Sequence, residues 1–130
     1  MLSRIDHVAL EVPNIDAYIA TFTETNGLRL IRRGVATATG RQIAMLGDRL
    51  GTKIELIENP DCDAIRFLHV AFATDDLADA LAASKAAGWT RARGPSEIAA
   101  AKAQSAFLLK NRLEIQILQY QPDSPDIATW

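Results

Sequence analysis

Apolar and polar residues alternate through Ile5-Asp6-His7-Val8-Ala9-Leu10-Glu11-Val12, a period of two that predicts a half-buried strand. Val8, Leu10 and Val12 share one face, and Ile5, His7, Ala9 and Glu11 share the other. The period then lengthens. Ile15, Tyr18, Ile19 and Phe22 recur at helical spacing, with Asn14 in front as an N-cap and Gly27 behind as a stop. Three further strands are expected over 28–35, 42–46 and 52–58, separated by the turns Thr39-Gly40-Arg41 and Gly47-Asp48 to Gly51. The order is βαβββ.

The chain then repeats itself. Phe67-Leu68-His69-Val70-Ala71-Phe72 lines up with residues 5–10, so that His69 follows His7 by 62 positions. Asp75 and Asp76 lead into Leu77, Ala80, Leu81 and Ser84, and Gly88 closes that helix. Strands are expected over 89–93, 105–109 and 113–119, with a break at Gly94-Pro95 and a segment 95–103 that reads as a helical turn or a loose flap. Near the end, Lys53-Ile54-Glu55-Leu56-Ile57 matches Arg112-Leu113-Glu114-Ile115-Gln116 at an offset of 59. The expected organisation is a first module over 1–58, a turn-rich linker over 59–64, a second module over 65–120 and an extended tail over 121–130. A module this short is marginal alone, so the two are expected to share buried surface, in cis or between chains.

Alternation also aims the chemistry. The uniformly apolar side of each opening strand takes the helix, which leaves His7 and His69, among small alanines, facing a cleft. The same logic sets Glu55 opposite Ile54 and Leu56, and Glu114 opposite Leu113 and Ile115. Ionised carboxylates in a partly dry cleft call for a cation. Two imidazoles and two carboxylates suit one divalent ion with open positions, and without a thiolate the choice is nickel, cobalt, manganese, iron(II) or zinc. Glu11 and Glu58 read as solvated or rim carboxylates. Arg29, Arg32, Arg33, Arg91 and Arg93 read as solvated charges, with binding of an anionic substrate arm the sharper alternative. Trp89 and Trp130 read as packing residues, and Cys62 as inert.

At these residues the chain resembles the vicinal oxygen chelate superfamily, which includes glyoxalases, bleomycin-resistance proteins and dioxygenases. IDHVALEVPNIDAYI resembles the opening of glyoxalase I and of methylmalonyl-CoA epimerase, KIELIENP the fourth strand, FLHVAFATDDLADAL the second opening and NRLEIQIL the closing strand. The turn Leu109-Lys110-Asn111-Arg112 departs from the family's Asp-Pro-x-Gly. The resemblance implies an α+β fold of two tandem βαβββ modules, a curved eight-stranded mixed sheet around a metal cleft, and a homodimer. It implies His7, Glu55, His69 and Glu114 as metal ligands. The implied activity is that of a metal-dependent lyase or isomerase acting next to a carbonyl through an enediolate, on a small molecule with vicinal oxygens. Lactoylglutathione lyase chemistry comes first. Methylmalonyl-CoA epimerase, a ring-cleaving dioxygenase and a metal-free binding or resistance protein are the alternatives. Glu114 is the expected proton-transferring carboxylate, with Glu55 the second choice.

Composition narrows the setting. The 130 residues are 48% hydrophobic and 23% charged with a net charge of -2, which gives no basic excess for nucleic acid or an anionic membrane. One cysteine, no apolar run of spanning length and no leader-like start point to the cytoplasm as the expected location.

Overall fold

The computed structural model describes residues 2–127, so the expectation for Trp130 lies outside the described residues. The chain runs β1 (Leu2–Val12), α1 (Ile15–Ala20), β2 (Arg29–Val35), β3 (Gln42–Gly47), β4 (Lys53–Glu58), β5 (Arg66–Thr74), α2 (Leu77–Ala86), β6 (Thr90–Ile98), β7 (Ala103–Lys110) and β8 (Leu113–Tyr120). The eight strands form the mixed sheet expected of two βαβββ copies. Among the described residues no helix is long and apolar enough to cross a membrane.

The chain divides into two compact units. One spans His7–Leu68, and the other combines residues 2–6 with residues 69–127, so β1 contributes its opening to the second and the rest to the first. In the first unit the strands lie in the order β2-β3-β4-β1, with β1 and β4 parallel and the other pairs antiparallel. Val12, Ile15, Ala44, Leu46 and Leu56 form its core on the helix side, joined by Leu10, Tyr18, Ile19, Phe22 and Ile54. Asn14 caps α1 by accepting from the Ala17 N–H at 3.2 Å. Helical winding continues past α1 as a π-type turn over Thr21–Thr25, and Gly27, at a φ of +70°, then turns the chain away.

In the second unit β5-β8-β7-β6 repeats that order, with β5 and β8 parallel. Leu77, Ala80, Leu81, Ala106, Leu108, Ile115 and Ile117 form its core, and Trp89 packs against it as expected. Asp76 caps α2 through the Asp79 N–H at 3.0 Å. In both units the apolar face chosen by alternation is the one the helix covers.

Two expectations need correcting. Gly94-Pro95 does not end β6, which runs on to Ile98 with an irregular register between Arg93 and Ser96. Gly94 is what allows it, since a Cβ there would come within 2.7 Å of the Ser105 carbonyl oxygen. Over residues 121–127 the tail is not extended: it folds in turns, with Ser124 and Asp126 buried, and Ser124 donates to the Ala101 carbonyl.

Candidate functional site

In the first unit, the face of β1 and β4 away from the helix carries His7, Ala9, Glu11, Lys53 and Glu55. His7 is 1% exposed, and its Nε2 stands 3.9 Å from a Glu55 carboxylate oxygen. Register explains the approach: Ala9 is the Cα partner of Glu55, so Glu55 meets His7 across a diagonal of neighbouring parallel strands. Glu11 is buried rather than solvated, because Arg41 donates to it at 3.1 Å and Arg66 pairs with it at 3.6 Å. Glu58 is likewise taken up by structure, accepting the first helical N–H of α1, from Ile15, at 3.0 Å. Lys53, unremarked in the sequence, is a fully buried side chain.

The second unit builds the corresponding face from β5, β7, β8 and β6. His69 is buried, and its imidazole meets the Phe107 ring edge-on at a centroid separation of 5.2 Å. Arg93 lays its guanidinium over the Phe107 ring, 3.8 Å from its centroid, and pairs with Glu114 at 3.4 Å. Glu114, Arg93, Phe107 and His69 thus form one chain of contacts. Of the five arginines read as solvated or anion-binding, Arg93 has this positioning contact, and Arg33 pairs with Asp16.

Register corrects one expectation about the repeat. Ala9 pairs with Glu55 in the first unit, whereas its counterpart Ala71 pairs with Gln116 in the second. The antiparallel partners agree, with Met45 opposite Glu55 and Phe107 opposite Gln116. The caps agree too: Glu58 accepts from Ile15, and Gln119 accepts from Leu77 at 2.8 Å. The structural match of β4 to β8 therefore runs at an offset of 61, and Glu114 corresponds to Lys53 rather than to Glu55. A slip of two keeps every side chain on its own face, so alternation could not detect it.

At the β8 position that corresponds in register to Glu55 stands Gln116. It is 4% exposed, its Nε2 donates to the buried Ser105 Oγ at 2.8 Å, and its Oε1 meets no hydrogen-bond partner among the described residues. A buried acceptor left unpaired costs about 1–3 kcal/mol. Aligning Glu114-Ile115-Gln116-Ile117 with Lys53-Ile54-Glu55-Leu56, supported by Glu58 and Gln119, is the signal that would have found it.

The model of the glyoxalase/bleomycin resistance protein/dioxygenase superfamily matches residues 6–108, stopping short of β8. Among solved structures, methylmalonyl-CoA epimerase from Mycobacterium tuberculosis is similar at 16% identity and a TM-score of 0.81, over 93% of this chain and 90% of that one. A Streptomyces coelicolor methylmalonyl-CoA epimerase variant in complex with 2-nitronate-propionyl-CoA is similar at 19% identity and a TM-score of 0.78, over 95% and 99%. A hypothetical protein from Bacillus halodurans C-125 follows at 18% and 0.77, over 93% and 96%. At these identities the likeness is one of fold. No curated protein matches the chain in sequence.

Proposed function

The chain belongs to the glyoxalase/bleomycin resistance protein/dioxygenase superfamily, and on that premise we propose that it is a metal-dependent isomerase or lyase acting at a carbon next to a carbonyl. The observation that carries this reading is the buried His7 imidazole facing the Glu55 carboxylate at 3.9 Å. That separation is too long for a hydrogen bond, and it suits two donors to one ion, which at about 2.0–2.2 Å each lie roughly 3–4 Å apart. The donor set fits a divalent ion: imidazole and carboxylate, with His69 the second buried imidazole. A bound divalent ion would act as a Lewis acid on a substrate carbonyl oxygen.

The chain's own residues supply the rest. Glu55, half-buried beside His7, takes the proton from the carbon and returns it, the role a carboxylate fills when it lies within reach of the substrate. Glu114, the expected holder of that role, has its carboxylate engaged by Arg93, and this favours Glu55. Ala9 and Ala71, small and buried, leave room beside the histidines.

Two substrates fit the chemistry, a hemithioacetal of glutathione and an acyl-CoA with an acidic α-carbon. The second draws support from the similarity to epimerases, one of them in complex with a CoA ester analogue. The assembly belonging to this reading is a homodimer, checked by sedimentation at micromolar concentration. The deciding experiment is metal analysis of protein purified without chelator, followed by turnover of methylglyoxal hemithioacetal and of methylmalonyl-CoA. Bound divalent metal with turnover of either substrate supports the reading; metal-free protein that turns over neither after metal addition defeats it.

A further inference from the structure

Two arginines two positions apart on a regular strand share a face, yet Arg91 and Arg93 do not. Strand β6 slips its register against β7 between them: Arg91 is the partner of Leu108 and Arg93 the partner of Phe107, neighbours on opposite faces of the sheet. Ala92 is the extra residue, a bulge of the kind that re-aims side chains. Arg93 thereby joins the side of His69, over Phe107. Arg91 is sent to the side of α2, where Leu108 packs with Leu77 and Leu81.

There it lines a groove of about 560 Å3 between α2 and β6, a size usual for small-molecule sites. Leu77, Leu81 and Pro95 contribute its apolar lining, and Lys85 is the second cation on it. A neighbouring hollow of about 470 Å3 is bordered by Trp89 and again by Lys85 and Arg91. Among the described residues neither the Lys85 ammonium nor the Arg91 guanidinium has a hydrogen bond or an ion pair. Lys85, in the last turn of α2, also answers the negative end of the helix; Arg91, on a strand, has no such duty. The carboxylate lining the groove, that of Asp76, stands at the other end of α2 as its cap.

We infer that this groove binds a small organic carboxylate with an apolar body, its head between Lys85 and Arg91 and its body along Leu77 and Leu81. Charge complementarity carries the choice of an anion, because two cations share one wall and a bound carboxylate would relieve their repulsion. The apolar lining carries the choice of body. Since the groove lies on the face of the second unit's sheet away from His69, the inference stands apart from the metal-dependent reading.

Octanoate is the probe, titrated into isotope-labelled full-length protein and followed by backbone amide shifts, with octanol as its uncharged counterpart. Octanoate should shift the amides of α2 and β6 saturably. Octanol should bind about fivefold more weakly, and Lys85→Gln and Arg91→Gln should each weaken octanoate by about as much, the upper range for an exposed ion pair. Both side chains are exposed, so the fold tolerates either change. Arg93→Gln, on the other face, should leave octanoate affinity within about twofold. Octanoate shifts that fail to saturate, or that fall outside α2 and β6, overturn the proposal. So do octanol binding as tight as octanoate, and a loss in Arg93→Gln with none in Arg91→Gln. If the same amides shift on raising protein concentration without octanoate, the occupant is a second copy of the chain and the small-anion assignment falls.

Discussion

The two copies of βαβββ share a framework and differ in charge. Glu55 and Glu58 on β4 become Gln116 and Gln119 on β8, an acid replaced by its amide at both corresponding positions. At the cap the change costs little in geometry, because an amide oxygen accepts the helix N–H as a carboxylate oxygen does, and only the attraction to the helix dipole is lost. On the opposite face the same change removes a proton carrier. The lesson is that one substitution is nearly silent where a lone pair is needed and decisive where a charge or a proton is needed.

Breaking that asymmetry should have its largest effect on turnover. Glu55→Gln should lower solvent deuterium exchange into substrate by at least about a hundredfold, the low end for loss of a general base. Glu114→Gln should stay within severalfold; a hundredfold loss there with exchange surviving in Glu55→Gln would return the proton-transfer role to Glu114. Next in size is the response to metal. At a metal concentration near 100 times Kd, binding to the folded state adds about 2.7 kcal/mol, so chelation should lower Tm by roughly 10 °C and readdition should restore it. His7→Ala and His69→Ala should each abolish that response. No change in Tm on chelating protein known to contain metal would remove the site from both copies.

Arg93→Ala sharpens the comparison further, since it removes the guanidinium from the Phe107 ring that meets His69. It should weaken metal binding severalfold, within the range for groups that orient a ligand, without removing it. Full wild-type affinity in that variant would reduce the clamp to packing.

The smallest effects belong to the turns that deliver β4 and β8. Before β8, Asn111 and Arg112 have φ of +50° and +66°, a two-residue hairpin with arginine where glycine is at ease. Arg112→Gly should therefore stabilise by about 0.5–1 kcal/mol in chemical denaturation. Before β4, Asp48 accepts from Leu50 N–H at 2.8 Å and Thr52 N–H at 3.1 Å, and the Leu50 bond foremost holds its carboxyl below the ordinary value. A lowered folded value means the contribution is present above the unfolded pKa and lost as pH falls through the folded one. Wild type should thus exceed Asp48→Ala in stability near neutrality, with the gap narrowing in acid; a gap that widens in acid would contradict the assignment.

Much of this was legible in the chain. The caps Asn14 and Asp76, the stops Gly27 and Gly88, and the choice of helix-facing side in β1, β4, β5 and β8 follow from period and side-chain type alone. What escaped was register. Alternation reports which face a residue occupies and is blind to a slip of two, so Glu114 and Gln116 were indistinguishable until the partners Ala71 and Phe107 named one of them. Burial of Glu11 also escaped, because its neutralising Arg41 and Arg66 are distant in sequence. The continuation of β6 past Gly94-Pro95 escaped because a pairing with β7 outweighed two residues that ordinarily punctuate.

Strand β1 adds a point about ancestry. Asp6, wholly buried, accepts the Tyr120 hydroxyl hydrogen at 2.6 Å, so the first strand's opening coheres with the last strand of the chain. The unit that was copied in the gene is therefore not the unit that holds together in the protein. Among the described residues the dependence runs one way: the second copy's unit includes the opening of β1, encoded in the first copy. Substitutions at Leu2 to Asp6 should therefore be felt in the stability of the second copy's unit rather than the first.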